Sequence, residues 1–303
     1  MRISAVAALF ILSLPLEGLA SKPAVKAVNG RLFGGYSYSE TDRETQSLSL
    51  NSETFEYLFA GSEVRSWHTG GSLSFPILHW LGGALALRGG ESTFDEIGEP
   101  EFGLTDSSVD TRGVRTGGSL FIRDPEIGYV GVGYDFDWSD APSEDVRSDI
   151  HSASIAAGLY IPDLALGPVD WSLTFGYGRE RLEVSVPGTP TSHDHANSFR
   201  ATGSIGWYWG DTMQLEGGVR WRKRLPDLYE TTSVLSGIVA LSWLLPPGDR
   251  RHVTATIFGI IGSEATEVSS PFTDLDQQTF DVGFQLTFSY PGAGSLLELY
   301  REY

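Results

Sequence analysis

Hydrophobic and polar residues alternate along most of the chain. In Thr279 to Phe288, one parity holds Phe280, Val282, Phe284, Leu286 and Phe288, and the other holds Thr279, Asp281, Gly283, Gln285 and Thr287. Alternate side chains of a strand point to opposite faces, so this segment has one apolar face and one small or polar face. The pattern recurs from Arg31 onward in about twelve segments of about ten residues, the length a tilted membrane strand needs. The cleanest has Val130, Val132, Tyr134, Phe136 and Trp138 on one face; others present Leu32, Gly34, Tyr36 and Tyr38, or Leu235, Gly237, Val239, Leu241 and Trp243. Around Val253 to Ile261 both parities are apolar, and the facing of that segment stays open. Alternation alone also fits a soluble β-sandwich.

The connections separate the two. Short, turn-like ones (Pro76 to Trp80, Arg123 to Gly128, Pro162 to Pro168, Gly210 to Thr212, Pro246 to Arg251) alternate with mostly long polar ones (Glu40 to Arg65, Glu91 to Arg112, Ser139 to Asp149, Arg179 to Asn197, Ser263 to Gln278); Lys223 to Ser233 is shorter but on the long side. A sandwich has no reason to keep such an asymmetry, whereas a membrane barrel has short turns on one side and long loops on the other. Trp80, Trp171, Trp207, Trp209 and Trp243 lie near the short-turn ends, and Trp67, Trp138, Tyr177 and Trp221 near the long-loop ends. Two aromatic belts flanking an apolar band match two membrane interfaces. Backbone groups in hydrocarbon must all be paired, so spanning strands must close on themselves. The expected fold is therefore all-β: a closed antiparallel transmembrane barrel of about twelve strands over residues 31–288. An even strand number puts both ends of the barrel on the short-turn side.

Residues 1–20 carry Arg2, an apolar run from Ile3 to Leu14, then Gly18-Leu19-Ala20, the layout of an export signal peptide. Residues 21–30 then form a short periplasmic lead into the barrel. The chain has no cysteine, so neither disulfides nor thiol chemistry is expected. A net charge of −18 argues against nucleic acid as a partner.

Within the last alternating segment, Asp281-x-Gly283-x-x-Leu286-x-Phe288 resembles the targeting signal in the final strand of bacterial outer-membrane β-barrel proteins. The resemblance implies recognition by the barrel-assembly machinery and residence in a Gram-negative outer membrane, among lipid and lipopolysaccharide. It also makes this the closing strand, paired with Arg31 to Tyr38. Members of that family usually stop at the terminal aromatic; here residues 289–303 follow. Leu296, Leu299, Tyr300 and Tyr303 share one helical face, with Glu298, Arg301 and Glu302 then facing water, so a periplasmic helical tail is expected; the alternative is one more strand using Leu297, Leu299 and Tyr303.

Function must be read from the lumen and the loops, because the barrel alone implies none. Inward positions such as Gly35, Ser72, Gly117, Ser119, Gly133, Ser154 and Ser204 are small and leave volume. Arg200, Arg220, Arg222, Asp135, Asp137 and Glu216 are inward charges on different walls, able to select solutes by charge or to pair and hold the barrel's shape. A narrow channel for small polar solutes is the expectation. The alternatives are a closed barrel serving surface contact through its acidic loops, and a surface hydrolase. For the last, His193-Asp194-His195 is the one suggestive cluster, and no lipase, protease or deacylase motif accompanies it. No metal or cofactor is expected.

Overall fold

The computed structural model describes residues 23–41, 44–50, 53–59, 62–96, 107–143, 145–164, 167–185, 191–227, 231–245, 252–267, 275–290 and 295–302. These form β1 (Asn29–Thr41), β2 (Glu44–Leu50), β3 (Glu53–Phe59), β4 (Ser62–Leu78), β5 (Leu81–Glu96), β6 (Ser107–Asp124), β7 (Gly128–Ala141), β8 (Val146–Leu164), β9 (Gly167–Val184), β10 (Ser192–Trp209), β11 (Met213–Pro226), β12 (Thr231–Leu244), β13 (His252–Glu267), β14 (Leu275–Tyr290) and one helix, α1 (Leu296–Glu302).

Twelve strands, β1 and β4 to β14, close into one antiparallel barrel, and β2 and β3 pair only with each other as a hairpin in the first long connection. Closure is made by β14 on β1, with Leu32 opposite Phe288 and Tyr36 opposite Phe284, the pairing the alternation implied. Following partners once around the wall returns to β1 about 14 residues further along, a stagger that gives twelve strands a tilt of about 40° and a backbone radius of about 12 Å.

The burial pattern is inverted relative to a soluble protein. Leu32, Phe175, Val239, Ile261 and Phe288 lie on the outer face more than half exposed. A continuous apolar surface of this kind is stable only against lipid. β13 resolves the ambiguous segment: Ile257 opposes Phe284 and Ile261 opposes Phe280, so the odd positions face out and Phe258 faces in. The Phe258 ring fills the space over Gly283, where a Cβ would collide with it, which accounts for an aromatic residue on the inner face of that strand.

Two expected loops are corrected. The barrel wall continues through most of residues 139–149 and 179–197, leaving only 142–145 between β7 and β8 and 185–191 between β9 and β10. In these extensions the inner face is buried largely through polar side chains such as Glu180 and Asp194, so the ladder continues where the apolar alternation stops. Asp42, Glu99, Glu101 and Asp106, carboxylates of the expected long acidic loops, lie outside the described residues.

Candidate functional site in the barrel lumen

The lumen is stoppered at the short-turn mouth by two segments. Helix α1 opens with a capping box: the Glu298 amide donates to Ser295 Oγ at 3.1 Å, and glutamate stands three residues after the serine. Seven residues are too few for an independent helix, so its stability comes from docking. The Leu296 amide donates to the Asp211 carbonyl in the β10–β11 turn at 2.9 Å. Gly210 in that turn holds φ at +59°, a conformation that favours glycine. Leu296 and Leu299 are buried against Tyr208 and Leu244. Residues 23–28 fill the other side: the Ala24 amide donates to the His79 carbonyl at 2.8 Å, Val25 packs against the wall where Gly82 and Phe121 meet, and Ala27 touches the α1 cluster.

Charge locks the stopper. Arg301 does not face water as the helical wheel implied. It is buried, its Nε donates to Asp170 Oδ1 at 2.9 Å, a second nitrogen binds the same carboxylate, and its guanidinium lies 4.7 Å from the centre of the Tyr160 ring. Tyr208, itself buried, donates to the other Asp170 oxygen at 2.9 Å and accepts from Gln214 Nε2 at 3.1 Å. Arg31 donates to the Leu299 carbonyl at 2.8 Å, and Lys26 pairs with Glu298 at 2.8 Å.

Above the stopper lies a cavity of about 460 Å³, lined by Ser72, Ser119, Ser154, Ser172, Ser204 and Glu216 and floored by Arg31, Arg123, Tyr160, Tyr208 and Tyr300. Its roof is an arginine-rich belt. Arg115 and Arg200 both donate to Asp135 Oδ2, at 2.9 and 3.0 Å. Arg200 crosses from β10 to β7 by lying flat over Gly176, where a Cβ would come within 2.5 Å of its Nε. Arg88 sits directly opposite Arg115, and Arg200 directly opposite Arg222. Like charges in directly paired positions destabilise a sheet. Higher still, Arg224 binds Glu180 in bidentate fashion at 2.7 and 3.3 Å. A second space of about 350 Å³ opens above the belt, bordered by His68, Arg88, Arg115 and Asp137.

All six lumen charges named from the sequence are on inward positions. Asp135 and Arg200 are brought together; Asp137 lies opposite Arg115; Arg220 and Arg222 have no ion pair among the described residues; Glu216 sits low, on the wall of the lower cavity. The sequence reading missed Arg88, Arg115 and Arg123, although parity from Leu87 and Val114 would have placed them inward. It missed the Arg301–Asp170 pair because nothing local shows that α1 enters the barrel. Of the closing-strand residues, Asp281 and Gly283 face the lumen, and Leu286 and Phe288 face outward. His193 and His195 are exposed on the outer face of β10 while Asp194 is buried on the inner one, so the three do not converge. Tyr134 and His151 approach within 2.6 Å on the outside, with Ser152 turned inward. Among the described residues no cluster of three or more metal-ligating side chains is present.

No family model and no curated protein matches this chain. Solved structures do. An outer-membrane channel from Pseudomonas putida F1 aligns over 89% of this chain and 98% of its own, at 10% identity and a TM-score of 0.58. The translocator domain of the autotransporter NalP from Neisseria meningitidis covers 93% of this chain and 96% of its own at 11% identity, with a TM-score of 0.47. A FadL homologue from Pseudomonas aeruginosa covers 90% and 93% at 10% identity, with a TM-score of 0.44. The closed twelve-strand architecture, with its lipid-facing exterior, is that of an outer-membrane β-barrel protein.

Proposed function

We propose that this protein is an exported outer-membrane channel for small polar solutes, with a preference for anions, whose periplasmic mouth is held shut by α1 and residues 23–28. The observation that carries this reading is the arginine belt. Arg88, Arg115, Arg200, Arg220 and Arg222 face the mid-lumen against Asp135, Asp137 and Asp281. Positive excess at a constriction raises the local concentration of anions and repels cations. The belt sits between two polar spaces, bordered by small residues such as Ser119, Ser154 and Gly90. The exterior would contact lipid and lipopolysaccharide, and the closing strand would be read by the barrel-assembly machinery.

The test is conductance of the purified protein in planar bilayers under a salt gradient. The reversal potential should report anion preference, and Arg115→Ala with Arg220→Ala should move it toward cations. Absence of discrete conductance even after removal of residues 295–303 would favour the alternative, a closed barrel with a structural or surface role, which the stopper itself supports.

A further inference from the structure

We propose that the floor of the lower cavity is a binding site for small carboxylate or phosphate monoanions, held by Arg31 and Arg123. It deepens the channel reading, on which it rests for the route by which the anion arrives.

Arg31 on β1 and Arg123 on β6 border the same cavity of about 460 Å³. That volume suits a small solute. Neither arginine has a carboxylate in ion-pair range among the described residues. The floor's own carboxylate, Asp170, is committed to Arg301 and Tyr208. Arg31 uses one nitrogen on the Leu299 carbonyl and lies 5.6 Å from the Tyr300 ring centre. Arg123 is stacked 4.6 Å from the Phe121 ring centre and 6.0 Å from that of Tyr129. Nε of Arg31 and Nε and Nη1 of Arg123 have no hydrogen-bond partner among the described residues. Both guanidinium groups border the cavity, whose floor carboxylate is already engaged, so an anion entering it meets positive charge that no neighbouring carboxylate offsets. Ring stacking also fixes the guanidinium planes in advance, so less side-chain entropy is lost when an oxyanion is bound. The serine hydroxyls of the wall supply further donors. Glu216 borders the same cavity without an ion pair among the described residues, and its charge disfavours dianions.

The experiment is calorimetric titration of the full-length protein in detergent with acetate and with inorganic phosphate, choline chloride and glycine serving as controls. Saturable binding of acetate or monobasic phosphate is expected. Arg123→Gln should weaken it at least tenfold, Arg123→Lys should weaken it too by losing the planar fork, and Arg65→Gln, on the outer face of β4, should leave it within twofold. Glu216→Gln should tighten it. If Arg123→Gln yields no folded barrel, Arg31→Gln and Arg123→Lys carry the same test. Binding of neither anion, equal loss with Arg65→Gln, or weakening by Glu216→Gln overturns the site. A barrel that never conducts yet binds acetate through Arg123 refutes the channel and keeps the site. An anion-preferring conductance with no saturable binding does the reverse.

Discussion

Asp170→Asn should unlock the short-turn mouth. The substitution keeps the shape of the side chain and removes the one carboxylate that neutralises Arg301, whose side chain is 8% exposed. Stranding a buried charge in this way costs about 3–5 kcal/mol. The docked helix has little to spare. Burial of Leu296 and Leu299 contributes about 2 kcal/mol each. The hydrogen bond from charged Arg31 to the Leu299 carbonyl contributes about 2 kcal/mol. The exposed Lys26–Glu298 pair contributes under about 1 kcal/mol. Ordering the helix's seven residues costs about 7–14 kcal/mol. Docking is thus at best close to balance without the Arg301–Asp170 pair, and its loss should raise the undocked-to-docked ratio by about two to four orders of magnitude. Single-channel recording should show rare openings in the parent become the dominant state in Asp170→Asn, and limited proteolysis should cut within residues 295–303 only in the variant. The double substitution Asp170→Leu with Arg301→Met removes both charges and should return the mouth toward closure, because an apolar pair of similar size can replace a buried ion pair at little cost. Unchanged conductance and unchanged protease resistance in Asp170→Asn would refute the reasoning.

Gly176→Val should displace Arg200 from its path across the lumen, because the added carbons occupy the volume of the arginine's Nε and Cγ; its conductance and ion preference should match Arg200→Ala, and a normal reversal potential would count against the belt. Val239→Arg places a cation on the lipid face of β12, at a cost of about 2–4 kcal/mol near the bilayer midplane, and should lower the yield of heat-modifiable folded barrel, while Ser236→Asp, on the lumen face opposite Arg220, should be better tolerated. Phe288→Asp, on the outer face of the closing strand, should reduce assembly measured as the folded fraction in outer-membrane extracts, and assembly at the parental level would remove that strand's signalling role.

The wall was legible because its signal is local. A strand between lipid and lumen must alternate at every position, and Phe280 to Phe288 or Val130 to Trp138 reports this without reference to any other segment. Legibility failed where the two environments became alike. Residues 179–184 and 192–197 continue the ladder with Glu180 and Asp194 buried on the inner side and polar residues exposed on the outer, so their pairing left no hydrophobic period. It failed again on β13, where inward Phe258 imitates a lipid-facing residue because Gly283 makes room for it. In the lumen, parity supplied the candidates Arg200, Asp135 and Arg220, but partners were invisible: Arg200 reaches Asp135 across two intervening strands.

By itself, then, the order of residues determined the strand faces, the short and long ends, the closed antiparallel sheet and the sign of the inward charges, since each follows from the side-chain period of two and the need to pair every backbone group in lipid. Tertiary structure alone decided what the lumen contains. Arg301 stands next to Glu302 in a short amphipathic stretch that reads as a solvated tail, and becomes a buried lock only because closing the barrel brings Asp170, 131 residues away, to the mouth where the helix returns. The reason is geometric: a barrel of about 12 Å radius gathers residues from every strand around one axis, and such proximity leaves no mark along the chain.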